Sequence, residues 1–351
     1  MERSIEHIPG DIDGVTYSFP VYRFDGSAGA PSAYIQAALH GDELPGVVAV
    51  DALMPLLRKA DDEGRIRGRL TVVPWCNPIG RAQYLFGDRQ GRFHVSTRTN
   101  FNRDFPLLAS PDATLPAHDD LTVSVDARLK RRLLALSMGH DIVLDLHCDD
   151  ESVPYLYVPA VLWPHMADCA AAMNMDAVVL WSGDCGAAFD QASIDPYLKA
   201  APDVARFDRR IVTTVEYRGG ADVNAALAQG DANGIYRVLV ARGVIEDTNL
   251  PPLKPFAGLA APIEHVEMVR SPCSGAILYH VKPGNRVEAG AALCTIVNAP
   301  GEPDGSVDIV APQAGLVLTR RSCRFIEAGG DLVKLVGSRP SATHKEGALE
   351  S

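Results

Sequence analysis

Short apolar runs bounded by turn residues alternate with stretches of helical period along the first 247 residues. The runs predict strands over 33–39, 69–75, 141–147, 155–158, 177–181 and 210–217. Apolar positions spaced by three and four predict helices over 44–59, 125–138, 162–173 and 221–241. Strands separated by helices make βαβ units, so the expected fold class is α/β: a mixed, mostly parallel sheet covered by helices.

The pattern changes at Asn249. LPPLKPFAGLAAP places four prolines in thirteen residues and reads as an extended, semi-rigid linker over 249–262. Residues 263–337 carry no convincing helical period. They hold instead a weak internal repeat, SPCSGAILYHVKPGNRVEAGAALCTI against APQAGLVLTRRSCRFIEAGGDLVKLV, which predicts a small all-β domain, a sandwich or flattened barrel. The polar, small-residue tail 338–351 is expected to be disordered. The chain thus divides into a larger unit over 1–248, the linker, the β-domain and the tail.

Composition narrows the partners. Thirty-three Lys and Arg against 44 Asp and Glu leave a net charge of −11, which repels nucleic acid and anionic membrane and leaves a small molecule as the expected partner. The start, MERSIEHIPG, has no signal-peptide pattern and no stretch approaches the length of a membrane span, so a cytoplasmic protein is expected. Seven scattered cysteines without a C-x-x-C pair argue against a disulfide framework and against a thiolate zinc site.

Candidate chemistry begins in LHGDELPG, where His40 and Glu43 stand three apart at a predicted strand-to-helix junction. That spacing brings two metal ligands onto one side of a first helical turn, although a solvated first-turn Glu satisfies the helix N-terminus equally well. In LDLHCDD a strand ends on His147, the position at which open α/β sheets place their ligands. Asp145, two residues earlier, points to the same face and can accept the other ring N–H of a ligating histidine, or can be held by a neighbouring helix N-terminus. NFNRDFP sets Asn102 beside Arg103, whose planar fork suits a carboxylate. RIVTTVEYRGG delivers Glu216 at a strand end, a candidate general base or an edge carboxylate. His94, His118 and His165, and Trp75, Trp163 and Trp181, are assigned to surface or packing roles.

In this order and with these types, His40, Glu43, Asn102–Arg103, His147 and Glu216 resemble the functional set of the zinc carboxypeptidase superfamily, and within it the succinylglutamate desuccinylase/aspartoacylase family. The resemblance covers about 30 to 336 and includes the Asn-Pro segment VPWCNPIG. It implies one Zn²⁺ per chain on His40, Glu43 and His147, Glu216 as general base, and Asn102 and Arg103 as holders of the substrate carboxylate. The family's upstream, carbonyl-polarising arginine matches Arg92 or Arg98, with Arg92 preferred. The implied activity is hydrolysis of a linear amide in a small N-acyl amino acid. The alternatives are a carboxypeptidase or peptide amidase acting on short peptides, and a binding protein that keeps the scaffold. The β-domain resembles a biotinyl/lipoyl carrier, but VNAPGEPDGSVDIVAP between its halves contains no lysine, so a role in capping the site or assembling a homo-oligomer is expected instead.

Overall fold

The computed structural model describes residues 1–27, 29–342 and 349. A nine-stranded sheet forms its centre, from β1 (Glu2–Pro9), β2 (Thr16–Phe24), β3 (Ala33–Ala37), β4 (Leu70–Val73), β5 (Ile142–Asp149), β6 (Tyr155–Pro159), β7 (Ala177–Trp181), β8 (Ile211–Gly219) and β9 (Leu259–Pro262). Their order is β1-β2-β4-β3-β5-β8-β6-β7-β9. The pairs β3 with β4, β3 with β5, β5 with β8, β6 with β7 and β7 with β9 are parallel; β1 with β2, β2 with β4 and β8 with β6 are antiparallel. The sheet is therefore mixed and mostly parallel, as the alternation of elements implies.

The central strands are β-branched or aliphatic on both faces because helices cover both sides. All of β3 and all of β5 up to Cys148 are buried. The helices are α1 (Pro45–Asp62), α2 (Pro78–Ala82), α3 (Val125–Ser137), α4 (Ala167–Ala172), α5 (Phe189–Leu198), α6 (Pro202–Ala205) and α7 (Ala225–Ala241). Pro45 and Pro78 each stand in a first helical turn, where a missing N–H costs nothing. The segment expected to be one helix over 162–173 divides into a 3₁₀ turn, Ala160–His165, and α4, because Pro164 interrupts the ladder. The last predicted helix starts at Ala225 rather than 221: Asn224 Oδ1 accepts the Leu227 N–H at 3.0 Å and fixes the start there.

The chain beyond 262 folds into two antiparallel sheets. Its strands are β10 (Val266–Arg270), β11 (Gly275–Tyr279), β12 (Arg286–Val287), β13 (Ala292–Val297), β14 (Ser306–Val310), β15 (Gly315–Arg320), β16 (Phe325–Ile326) and β17 (Asp331–Gly337). One sheet runs β10-β17-β15-β12 and the other β14-β13-β11-β16. The repeat is visible in this arrangement. The first half sends β11 and β13 to one sheet and β12 to the other, while the second half sends β15 and β17 to the opposite sheet and β16 across.

The last four residues of the proline-rich stretch add β9 to the edge of the main sheet. The main core also continues across it: Ala261, Ile263, Val266, Leu316, Leu318 and Val336 belong to the same buried cluster as the central strands, and a second, smaller core lies between the two β-sheets. Of the tail expected to be disordered, 343–348, 350 and 351 lie outside the described residues; Leu349 packs against the main core. Among the described residues no helix is long and apolar enough to cross a membrane.

Because the core is shared, truncation after Thr248 exposes the β7 edge together with the apolar faces that Ile263, Val266, Leu316 and Leu318 cover. The expected product is insoluble or molten, read by near-UV circular dichroism and gel filtration. A cooperative thermal transition within a few degrees of the full chain's would refute the shared core.

Candidate active site

Parallel neighbours bring the candidate residues together. In register, Glu216 on β8 lies opposite His147 on β5, and Gln36 on β3 lies opposite Asp145 on β5. All reach the carboxyl ends of central strands, where the chain leaves the sheet and side chains face a common crevice.

His40 and Glu43 lie in the turn ahead of α1, one step earlier than a first helical turn; the Glu43 N–H donates to the His40 carbonyl at 3.1 Å. This turn is tightly seated. A Cβ at Gly41 would stand 2.4 Å from the Arg81 nitrogen, so only glycine fits. Asn77 explains the Asn-Pro segment: its Nδ2 donates to the Leu39 carbonyl at 2.7 Å and its Oδ1 caps α2 through the Gly80 N–H at 2.8 Å. One side chain thereby ties α2 to the loop that carries His40.

Glu43 is the hub. Its Oε1 lies 2.7 Å from His40 Nδ1 and its Oε2 2.9 Å from His147 Nδ1, and the Cys148 N–H donates to Oε2 at 3.1 Å. Ligand atoms of His40, Glu43 and His147 all fall within 4.8 Å of one another, and all three residues are buried. The remaining ring nitrogens are held from outside. His147 Nε2 lies 2.9 Å from Asp145 Oδ2, and His40 Nε2 lies 2.9 Å from Asn100 Oδ1. Asp145 is itself fixed by Gln36 Nε2 at 2.9 Å, and Gln36 Oε1 accepts the Tyr34 hydroxyl at 2.8 Å.

This donor set fits a metal ion. Two imidazoles turn the same kind of nitrogen toward one carboxylate, while their other nitrogens meet oxygens that fix ring orientation and tautomer. Burial raises the Glu43 carboxyl, but His40 and His147 more than offset it and hold the group far below the usual carboxylate range. Burial lowers His147, and Asp145 and Glu43 overcome it to raise that imidazole well above its ordinary value.

Glu216 is half-buried, and its Oε2, shielded from solvent, has no hydrogen-bond partner among the described residues. Burial, then the charge of Asp149, push its carboxyl well above the usual carboxylate range, with His147 pulling the other way. Arg92 Nη1 stands 3.9 Å from Glu43 Oε1, whereas Arg98 is exposed and does not border the cavity. Arg103 Nη1 donates to the Asn102 carbonyl at 2.7 Å. Asn102 Oδ1 is taken by the Phe189 N–H at 2.8 Å, which leaves Nδ2 as that side chain's donor toward a ligand. Gly186 makes room here, since a Cβ would stand 2.9 Å from Arg103 Cδ.

These groups line one cavity of about 890 Å³, a size suited to a small molecule. The site also uses residues that pattern reading passes over. Asn100 could have been suspected from NFN, where a second amide sits two residues before Asn102. Trp181, assigned to packing, is buried yet borders the cavity, with its indole N–H unpartnered among the described residues. Lys334 and Arg321 come from the β-domain, and no local signal marks them.

The β-domain is joined to the cavity wall by charge. Lys334, 4% exposed, donates to Asp149 Oδ2 at 2.5 Å, and the Tyr155 hydroxyl donates to the same oxygen at 2.6 Å. Arg320 and Arg324 each reach Glu151 at 2.5 Å, Ser322 donates to Asp150 at 2.6 Å, and the strand pair Glu151–Ser152 joins β15. The whole segment that follows His147 is therefore docked on the second domain. Removing one partner of a buried pair such as Asp149–Lys334 costs about 3–5 kcal/mol.

Comparison with known proteins identifies the family. Residues 29–241 match the succinylglutamate desuccinylase/aspartoacylase catalytic domain. The chain is 25% identical over 311 residues to N-alpha-acetyl-L-2,4-diaminobutyric acid deacetylase of Halomonas elongata, covering 85% of this chain and 80% of that protein. The crystal structure of a succinylglutamate desuccinylase/aspartoacylase family protein from Shewanella amazonensis superposes with a TM-score of 0.81 at 26% identity, over 96% of this chain and 98% of that one. The product-bound ectoine utilization protein EutE (DoeB) of Ruegeria pomeroyi, at 23% identity and a TM-score of 0.69 over 95% of each chain, shares the fold. The chain belongs to the succinylglutamate desuccinylase/aspartoacylase family.

Proposed function

We propose that the protein is a zinc-dependent amidohydrolase that removes the acyl group from a small N-acyl amino acid. The observation that carries this reading is the buried His40–Glu43–His147 cluster, set in one small-molecule cavity with Glu216, Arg92 and Arg103. The name of the Halomonas elongata relative, a deacetylase of an N-acetylated amino acid, supports the same chemistry.

In this reading His40 and His147, through Nδ1, and Glu43 hold one zinc ion per chain, with Asp145 and Asn100 orienting the rings. Such an ion supplies Lewis acidity to a water and to the amide carbonyl at neutral pH. Arg103 and Asn102 Nδ2 bind the substrate carboxylate and set the amide against the cluster, lowering the entropy cost of the encounter. Glu216 accepts the proton of the attacking water and delivers it to the leaving nitrogen. Arg92 donates to the carbonyl oxygen as negative charge grows there. The products are a free amino acid and a carboxylic acid. We take 1–248 as the catalytic unit and 263–337 as a barrel-sandwich-like domain that walls its site, and the docked segment 149–152 favours a small substrate over the long peptide of a carboxypeptidase.

Metal analysis with a screen of N-acetyl, N-formyl and N-succinyl amino acids for amine release is the direct test. One zinc per chain is expected in the purified protein, and His40→Ala or His147→Ala is expected to lose metal and activity together. Full zinc occupancy in His147→Ala would overturn the ligand assignment. Glu216→Gln keeps the shape but removes the proton acceptor, so kcat falls by at least about 10²-fold with metal content intact; an unchanged kcat moves the base elsewhere. Arg103→Lys keeps the charge but loses the planar fork, so KM for carboxylate-bearing substrates rises by about tenfold or more. Equal cleavage of an amide lacking that carboxylate would sink the clamp.

A further inference from the structure

The end of β8 departs from its own pattern two residues beyond Glu216. Thr214 and Glu216 both border the cavity, and strict alternation along the strand would bring Arg218 to the same side. It does not arrive there. Between Glu216 and Gly219 the pairing with β5 slips: Glu216 lies opposite His147 and Gly219 opposite Asp149, so three steps on β8 span two on β5. A bulge of this kind re-aims the side chains beside it, and a left-handed residue within it is ordinarily glycine. Here that residue is Arg218, at a φ of 57°. Its guanidinium reaches α7 and meets Asp231 in a two-pronged pair, Nη1 donating to Oδ1 at 3.0 Å and Nη2 to Oδ2, with side-chain exposures of 16% and 8%.

The turn is braced on its other side too. The Gly220 N–H donates to the Asp149 and Asp150 carbonyls, each at 3.2 Å, the Gly219 N–H donates to Asp222 Oδ2 at 3.0 Å, and a Cβ at Gly219 would strike the Asp150 carbonyl oxygen. α7 in turn packs along α1, the helix that begins just after His40 and Glu43. Glu216 has less to hold it. Its Oε2 has no hydrogen-bond partner among the described residues, so the direction of its carboxylate follows from the backbone that carries it. Arginine is strained at a left-handed position that glycine would take freely, and what the arginine adds there is the tie to Asp231. We propose that Arg218, held by Asp231, is a positioning residue: the pair fixes the bulge at the end of β8 and so aims the Glu216 carboxylate at the His40–Glu43–His147 cluster. The proposal rests on the deacylase reading, in which Glu216 is the base, and deepens it.

The test uses the full-length, zinc-loaded protein. Arg218→Gly leaves the left-handed turn unstrained and removes the tie, while Asp231→Asn keeps the arginine and removes its counter-charge. Each is expected to lower kcat on the best N-acyl amino acid by about tenfold or more, with KM within about twofold and zinc content unchanged, because a misaimed base slows the chemical step while the carboxylate clamp sits on other elements. In the Glu216→Gln background the same Arg218→Gly change is expected to lower kcat by less than about twofold, since the pair acts only through Glu216. Crystal structures of the wild type and of either variant read the aim without turnover: the Glu216 carboxylate is expected to move by about 1 Å or more relative to His147. That displacement supports the proposal even if no amide is cleaved, in which case the deacylase reading alone fails. Where Arg218→Gly does not fold, Asp231→Asn carries the same readings. A carboxylate that stays in place, a kcat that survives the loss of the pair, a loss that falls on KM or zinc instead, or a further tenfold drop in the Glu216→Gln background overturns the proposal and leaves the deacylase reading standing.

Discussion

Everything in this molecule is arranged around one carboxylate shared by two imidazoles. Glu43 meets His40 through one oxygen and His147 through the other, all three away from water. Such a group of charges is expensive to bury and is retained only if every remaining lone pair and proton is satisfied. The surroundings satisfy them. Asn100 takes the outer nitrogen of His40, Asp145 that of His147, and Gln36 and Tyr34 hold Asp145 from below. The sheet register supplies this order, since β3 and β5 lie side by side with Gln36 opposite Asp145.

The parts legible in the sequence are those governed by local pattern. The central strands β3, β4, β5 and β8 read as apolar runs because both their faces are covered, and the residues that end them read as chemistry because polar groups there interrupt an otherwise unbroken apolar context. β1 and β2 are half exposed, with charged and apolar positions mixed, so their pattern is too weak to stand out. α5 was hidden in a different way. Asp190, Gln191 and Ser193 are buried on it, and Pro196 lies inside it, so neither its composition nor its period resembles a core helix. Residues delivered by long-range pairing leave no local trace at all: Lys334 and Arg321 reach the cavity only because β15 pairs with Glu151–Ser152.

The second domain is thus part of the wall rather than an appendage. Glu151 is gripped by two arginines, Asp149 by a lysine and a tyrosine, and Asp150 by a serine, so three consecutive residues beyond His147 are fixed from the other half of the chain. Asp149 still adds to the negative potential around Glu216, and Lys334, paired with it, offsets part of that potential.

The continuity of the main core gives the ligand turn a reach beyond its own neighbourhood. An ion that binds the folded state adds RT ln(1 + [L]/Kd) to the free energy of unfolding of whatever unit melts with it. With Leu316, Leu318 and Val336 in the same cluster as the strands that carry His147 and Glu216, that unit includes much of the β-domain. An ion held by the proposed site would therefore bear on the stability of the whole chain against proteolysis as well as on its turnover.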